Sequence, residues 1–266
     1  MATLLKSGGV FLHIPKTGGS WVQEVLKELG LVRYNIGREH EDMPSIMHFP
    51  LANPYEYRRK LISRGLGWHG DVVKGFKFCF TRNPLTWYES YWKWRAGQWP
   101  EGPDYYTDFP VGTIAETGDD NFNTFVRNVI ERFPGYVTAL YGRYAVPGLI
   151  DFIGKQETLT DDLIAVLTHL NENFDEDRIR NWPRVNASQS KFGKPVWNPS
   201  VRDLACKAEY AGILRYGYEV DHLVPTAVMA EVFEPVASPR HAKLPQSRVI
   251  RKPLLGGNGY QVPVGS

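Results

Sequence analysis

A lysine, a threonine, two glycines and a serine form the run Lys16–Ser20, between an apolar segment and an amphipathic one. Residues 9–14 are apolar, β-branched or aromatic, which is typical of a buried strand. Residues 20–29 repeat apolar side chains at helical spacing, and Gly30 is a typical helix stop. A glycine turn between a strand and a helix can bind an anion, because free N–H groups and the positive end of the helix dipole point at it. Lys16 adds a full positive charge, so this junction is a candidate phosphate site.

A second junction of the same kind follows later in the chain. Phenylalanines alternate in residues 71–84, which predicts a strand, and Asn83 and Pro84 suit the cap and the first turn of a helix. Arg82 offers a planar fork for a phosphate, and Ser90, two turns into the helix, offers a hydroxyl. In a parallel sheet the two junctions lie side by side, so one ligand with phosphates at both ends could contact both.

Strand and helix patterns alternate along the rest of the chain. A polar stretch runs from Val32 to about Pro54, and a long loop is expected over 97–120. We expect three further helices, over 121–133, 161–174 and 201–219, and one short apolar strand over 149–154. Alternating strands and helices predict an α/β fold with a central parallel β-sheet flanked by helices.

The length of 266 residues and a hydrophobic content of 42% suffice for one large core. Beyond Val224 the composition shifts to prolines and basic residues without periodicity. We therefore expect one domain over residues 1–225 and a proline-rich basic extension over 226–266.

Charge and cysteine content narrow the classes of function. Lys and Arg number 31 and Asp and Glu 29, and the net charge of +2 gives no general reason to expect nucleic-acid binding. Cys79 and Cys206 form neither a disulfide framework nor a zinc pattern. The apolar run at the amino terminus is too short for a membrane span and leads directly into the first strand. We expect a cytoplasmic enzyme.

The order of the residues in the first junction indicates the kind of phosphate loop. In the usual nucleoside-triphosphate loop the lysine follows the glycines, and the next Ser or Thr holds magnesium. Here Lys16 precedes the glycines, and no strand ends in a clear magnesium-binding aspartate. A kinase or NTPase is therefore the weaker interpretation.

The run PKTGGS after a first strand, together with FCFTRNPLTWYESYW, resembles the sulfotransferases that use 3′-phosphoadenosine 5′-phosphosulfate. The likeness is closest to the carbohydrate branch, with the heparan sulfate 2-O-sulfotransferases and their bacterial relatives. It covers roughly residues 8–220, including DFIGKQETLTDDL and RVNAS. The resemblance implies the P-loop nucleotide-hydrolase-like fold of these enzymes, transfer of a sulfuryl group to a hydroxyl of a glycan or small molecule, and no metal.

The resemblance also implies roles for individual residues. The second motif would bind the 3′-phosphate through Arg82 and Ser90, and the loop with Ser188 and Lys191 could close over the nucleotide. At Trp87 this chain departs from relatives that carry a basic residue. The first motif would bind the 5′-phosphosulfate, with Lys16 also catalytic, through Lys16, Thr17, Gly18, Gly19, Ser20 and Trp21.

The acceptor hydroxyl needs a base, and an imidazole or a carboxylate suits that task. The candidates are His48, His69, His13 and Glu41, of which His13 is expected to be a core histidine. His48 falls in the interval where this branch carries its catalytic histidine, and His69 has Asp71 nearby.

The aromatic run over residues 87–99 is expected to lie mostly in the core, with Trp94 and Trp99 available for stacking on a sugar. An ATP-dependent phosphotransferase and a nucleotide-binding relative without chemistry are the alternative functions. The identity of the acceptor and the oligomeric state stay open.

Overall fold

The computed structural model describes residues 2–36, 40, 42–47, 68–99, 114–183 and 193–219. The strands of this part of the chain are β1 (Ala2–Leu5), β2 (Val10–Leu12), β3 (Val32–Ile36), β4 (Lys77–Thr81) and β5 (Phe152–Lys155). The helices up to the middle of the chain are α1 (Gly19–Glu28), α2 (Met43–Met47), α3 (Trp68–Lys74), α4 (Pro84–Arg95), α5 (Phe122–Arg132) and α6 (Tyr136–Tyr144). They are followed by α7 (Leu159–His169), α8 (Glu176–Arg180), α9 (Pro199–Ala208) and α10 (Tyr210–Arg215).

The described strands form one mixed sheet of order β3-β1-β2-β4-β5. Strands β2, β4 and β5 are parallel neighbours, with Leu12 opposite Cys79 and Thr81 opposite Lys155. Strand β1 is antiparallel to both β2 and β3. The fold is α/β, as predicted, but the prediction of a parallel sheet holds only for the three strands β2, β4 and β5 and is wrong for β1.

The antiparallel part has a simple physical origin. A tight turn joins β1 to β2, where the Leu5 N–H donates to the Gly9 carbonyl at 2.7 Å and Gly8 has a φ of 95°. Strand β3 follows α1 and runs in the direction of β2, as in a strand–helix–strand unit. Because β1 lies between β2 and β3, it opposes both.

Alternating side chains of the strands enter two hydrophobic clusters, one on each face of the sheet. Phe78 and Phe80 of β4 lie in a cluster with Trp21 and Val25 of α1 and with apolar residues of α7. Cys79 lies in the other cluster, which contains the buried residues of α4, α5 and α6. Helices therefore cover both faces, and the carboxyl ends of β2, β4 and β5 open at one edge of the sheet.

Several element boundaries differ from those predicted. Residues 71–74 belong to α3, so the strand predicted within 71–84 begins only at Lys77. The strand predicted over 149–154 begins at Phe152, and α6 was not predicted.

The helix predicted over 201–219 is two helices, separated at Glu209. The Glu209 carboxylate is fully buried and accepts hydrogen bonds from the Tyr88 hydroxyl at 2.6 Å and from the backbone N–H groups of Val137 and Thr138 at 3.0 and 2.8 Å. This carboxylate therefore caps α6 from a distant part of the chain and ties it to α4.

None of the described helices is long and apolar enough to cross a membrane. The extension predicted over 226–266 lies outside the described residues, as does the boundary at residue 225.

Candidate functional site

The loop between β2 and α1, here called the first corner (residues 13–19), has the geometry of an anion cradle. Lys16 adopts a left-handed backbone conformation with a φ of 62°, which is uncommon for a residue with a side chain. The buried Thr17 fixes the turn, because its hydroxyl donates to the Ile14 carbonyl at 2.9 Å. Gly18 is the N-cap of α1, makes no side-chain cap bond, and is followed by no acidic residue in the first turn. The positive end of the α1 dipole therefore faces the loop without a capping side chain.

The two glycines of the first corner are required for different reasons. Gly18 has a φ of 87°, and a Cβ atom there would lie 2.6 Å from Leu159 Cδ2. A Cβ atom on Gly19 would lie 1.8 Å from Cδ2 of the buried His13 ring. The side chains of Leu159 and His13 therefore pack directly against the two glycines of the loop.

The turn between β4 and α4, the second corner (residues 82–84), lies directly beside the first. The Arg82 guanidinium donates through Nη1 to the Lys16 carbonyl at 3.4 Å and through Nε to the Thr86 hydroxyl at 2.9 Å. The Tyr141 hydroxyl fixes the backbone there, accepting from Arg82 N at 3.2 Å and donating to Arg82 O at 2.8 Å. The structure therefore brings Lys16 and Arg82 together, as expected for neighbouring parallel strands.

Ser90 lies on the face of α4 that borders the first corner. Thr86, Ser90 and Trp94 follow one another at a spacing of four residues, so they share one side of the helix. Thr86 contacts Arg82 at one end of this row, and the Lys16 ammonium lies 4.8 Å from the centre of the Trp94 ring at the other. Ser90 is half-buried between them.

Two positive charges share this partly buried site. Burial and, after it, the charge of Arg82 lower the pKa of Lys16 to about 8. Burial also lowers the pKa of Arg82, and the Tyr141 hydroxyl and the Glu157 carboxylate oppose that change. Like charges held close together at reduced solvation are unfavourable, and an anion between them would relieve the cost.

The turn after β5, the third corner (residues 156–159), was not recognised from the sequence as part of the site. The Glu157 carboxylate accepts from the Asn83 N–H at 2.8 Å and from the Tyr218 hydroxyl at 3.4 Å. The Tyr218 hydroxyl also lies 3.0 Å from the Thr81 hydroxyl. The backbone N–H at the second corner is therefore already bonded, so this corner offers side chains to a ligand rather than amides.

Trp87 packs against the first corner. Its ring is fully buried, and its Nε1–H donates to the Pro15 carbonyl at 2.9 Å. Trp87 therefore supports the first corner from below. Trp99 is half-buried and packs on Phe125, with ring centres 5.5 Å apart.

Two histidines adjoin the first corner. His13 is buried beneath Gly19, in keeping with the prediction that it is a core residue. The ring of His40 lies edge-on to it, with centres 4.4 Å apart, and His40 Nδ1 donates to the His13 carbonyl at 3.1 Å. Sequence reasoning missed His40, because the segment around it shows no periodicity.

The other predicted site residues are scattered. Ser20 is exposed at the start of α1, whereas Trp21 is buried in the core on its inner side. His69 lies in α3, and its Nε2 donates to the Ile46 carbonyl at 3.0 Å. Four predicted residues lie outside the described residues, namely Glu41, His48, Ser188 and Lys191.

Comparisons with known proteins add no assignment. No protein-family model, no curated protein and no solved structure matches the chain. Among the described residues, no group of three or more His, Cys, Asp or Glu side chains is arranged to hold a metal ion. The function must therefore be argued from the site itself.

Proposed function

We propose that the protein is a sulfotransferase with the P-loop-like fold of that family, which moves a sulfuryl group from 3′-phosphoadenosine 5′-phosphosulfate to an acceptor hydroxyl. The observation that carries the proposal is the contact between the first and second corners, where the Arg82 guanidinium reaches the Lys16 carbonyl at 3.4 Å. Two cationic side chains on neighbouring parallel strands suit a ligand with phosphates at both ends. Both the pattern of residues and their geometry agree with such a ligand.

The residues of the first corner fit the phosphosulfate end. The α1 N-terminus has no side-chain cap, and the glycines let a ligand approach the backbone closely. When bound, the nucleotide supplies a sulfuryl group attached to a phosphate that departs with additional negative charge. Lys16 and the first N–H groups of α1 would stabilise that charge, which is where fixed dipoles contribute most to the rate.

The residues of the second corner fit the 3′-phosphate. Arg82 presents its guanidinium beside the loop, and Ser90 lies one turn beyond Thr86 on the same face of α4. A hydroxyl and a planar cation form a suitable pair of donors for one phosphate.

Calorimetry with adenosine 3′,5′-bisphosphate and with adenosine 5′-phosphate tests this assignment. Arg82→Ala should weaken binding of the bisphosphate about 10- to 100-fold, because a charge-assisted hydrogen bond contributes about 1.5–3 kcal/mol. The same change should leave binding of the monophosphate almost unaltered. Arg127→Ala, at an exposed position of α5, is the matched control. Equal losses for both nucleotides would refute the role of Arg82.

A phosphotransferase that uses ATP is the alternative, because an uncapped helix N-terminus and a lysine would serve any phosphate chain. Transfer of radiolabelled sulfate from the donor to a panel of hydroxyl acceptors, with and without EDTA, separates the two. Sulfate transfer that persists in EDTA supports the sulfotransferase. ATP turnover that depends on magnesium, without sulfate transfer, would refute the sulfotransferase and support the phosphotransferase. Nucleotide binding without either reaction would indicate a relative that has lost its chemistry.

A further inference from the structure

The loop segment at Lys16 is contacted at its backbone and at its side chain by α4 and by the turn before that helix. The Arg82 guanidinium reaches the Lys16 carbonyl at 3.4 Å, and the Trp87 Nε1–H donates to the neighbouring Pro15 carbonyl at 2.9 Å. The Lys16 ammonium lies 4.8 Å from the centre of the Trp94 ring. Two consecutive carbonyls and the end of the lysine side chain are therefore all contacted by residues 82–94.

The Trp94 ring is a favourable partner for the Lys16 ammonium. The face of an indole ring carries partial negative charge and attracts a cation within about 6 Å of its centre, more strongly than a phenol or a phenyl ring does. Among the described residues, no carboxylate forms an ion pair with Lys16. The charge of Arg82 disfavours the ammonium. Within the described part of the chain, the Trp94 ring thus supplies an attraction that opposes this repulsion.

We propose that Trp94 is a positioning residue of the transfer reaction, whose ring holds the Lys16 ammonium, in its charged form, beside the first corner before the nucleotide binds. This inference rests on the proposed sulfotransferase function. Trp94 acts through Lys16, which stabilises the charge on the departing phosphate oxygen. A cation that is already in place lowers the barrier more than one that must reorganise during the reaction.

The groups around Lys16 give the effect of the ring on its protonation a defined sign. Burial and, after it, the charge of Arg82 lower the pKa of Lys16 to about 8. Burial also lowers the pKa values of His13 and His40, so both imidazoles are neutral at pH 7 and add no charge. The Arg95 guanidinium, which stays charged, lies 5.4 Å from the centre of the same indole ring. Because the ring favours the ammonium over the neutral amine, a less electron-rich ring should lower the pKa of Lys16 further.

Fluorinated tryptophans test the contact in the ligand-free protein. Site-specific replacement of Trp94 by mono-, di-, tri- and tetrafluorotryptophan withdraws electron density from the ring and changes its shape little. In protein with ¹³C-labelled lysine, the signal that is lost in Lys16→Met should titrate at a lower pH with each added fluorine. The protonation constant of Lys16 should fall about two- to fivefold over the series, which is the size expected of such a contact at a partly exposed site.

A second contact between a lysine and an aromatic ring is the control for this titration. The Lys155 ammonium lies 4.6 Å from the centre of the Tyr218 ring. Its signal should keep its pKa throughout the series at Trp94. A role of Trp94 in packing alone would give no trend, because the size of its side chain is almost constant. A Lys16 signal that is insensitive to fluorination therefore overturns the proposal.

Kinetics test the role of the ring in the reaction. In Trp94→Leu, kcat for sulfuryl transfer should fall about three- to tenfold, and Trp94→Phe, which keeps an aromatic face, should recover part of that loss. The rate should also fall stepwise in the fluorinated series. The control is Trp182→Leu, because Trp182 makes a similar contact with the Arg178 guanidinium of α8, at 5.4 Å, and this variant should keep the rate.

The outcomes separate this inference from the proposed function. A fluorination trend in a protein that transfers no sulfate refutes the sulfotransferase and, with it, a role of Trp94 in the transfer. Sulfate transfer that is unchanged in Trp94→Leu and in the fluorinated series refutes the role of Trp94 alone.

Discussion

Binding of an anion at the first corner should weaken as the pH rises above about 8. In the ligand-free protein the pKa of Lys16 is lowered from 10.5 to about 8 by burial and by the charge of Arg82. A phosphate beside the Lys16 ammonium favours its charged form and raises the pKa again. Above pH 8 the protein must therefore take up a proton in order to bind, and this uptake reduces the affinity.

The size of the effect follows if a bound phosphate returns the pKa of Lys16 from about 8 to its ordinary value of 10.5. The affinity for adenosine 3′,5′-bisphosphate should fall about tenfold between pH 7 and pH 9, or about 1.4 kcal/mol, and about 70-fold by pH 10. The phosphates contribute little, because their second pKa is about 6. Arg82 stays charged throughout this range.

The same shift has a defined sign for stability. Because the unfolded chain holds the Lys16 proton more tightly than the fold does, Lys16 destabilises the ligand-free protein fully below about pH 8. This cost disappears as the pH rises from about 8 to 10.5. Denaturant unfolding should therefore show that the unmodified protein gains stability relative to Lys16→Met between pH 8 and pH 10.5.

Calorimetry at several pH values, in two buffers with different ionisation enthalpies, measures both the affinity and the number of protons taken up. Lys16→Met should bind more weakly at pH 7 and lose the dependence on pH. Lys27→Met, at an exposed position in the last turn of α1, should retain it. A flat profile in the unmodified protein, or an unchanged slope in Lys16→Met, would show that Lys16 does not contact the anion.

Three substitutions and one control, Gly142→Ala, test how the site and the helices that support it are built. Gly19→Ala places a methyl group 1.8 Å from the His13 ring, so it should distort the loop and abolish bisphosphate binding. The control Gly142→Ala lies in α6 with open space around its Cβ position, so it should raise the free energy of unfolding by about 0.5–1 kcal/mol. Glu209→Gln replaces a buried carboxylate that only accepts hydrogen bonds with an amide that also donates. Urea unfolding should therefore show a free energy of unfolding that is lower by about 2–3 kcal/mol. Trp87→Phe removes the 2.9 Å bond to the first corner and should weaken bisphosphate binding more than it lowers stability; equal effects would contradict a supporting role for Trp87.

Local patterns sufficed to predict the two junctions of the candidate site. Glycine spacing and an apolar run predicted the turn into α1, and the Asn83 side chain does accept from the Leu85 N–H at 3.0 Å, as its cap position implied. These features depend on neighbours in sequence, so they can be read without the fold. Strand β1 has only four residues, and β3 begins the stretch from Val32 that was interpreted as polar and irregular, although Val32–Ile36 alternates apolar and polar side chains.

The parts of the site that sequence reasoning missed all depend on long-range contacts. Glu157 reaches the second corner across 74 positions of the chain, and Trp87 reaches the first corner across 72. His40 reaches His13 across 27 positions, in a segment without periodicity. No local spacing encodes these distances, because only the order of strands in the sheet brings such residues together.

The two corners are not equivalent, and this difference favours one direction of ligand binding. At the second corner the Asn83 N–H is bonded to Glu157 and the Leu85 N–H to the Asn83 side chain, so only side chains are offered there. At the first corner the α1 N-terminus carries no side-chain cap and Lys16 stands beside it. Backbone dipoles that need no reorganisation are most useful where charge develops during reaction, whereas a flexible guanidinium suffices to hold a static phosphate. Under the proposed function, the reacting end of the nucleotide should therefore occupy the first corner and the 3′-phosphate the second.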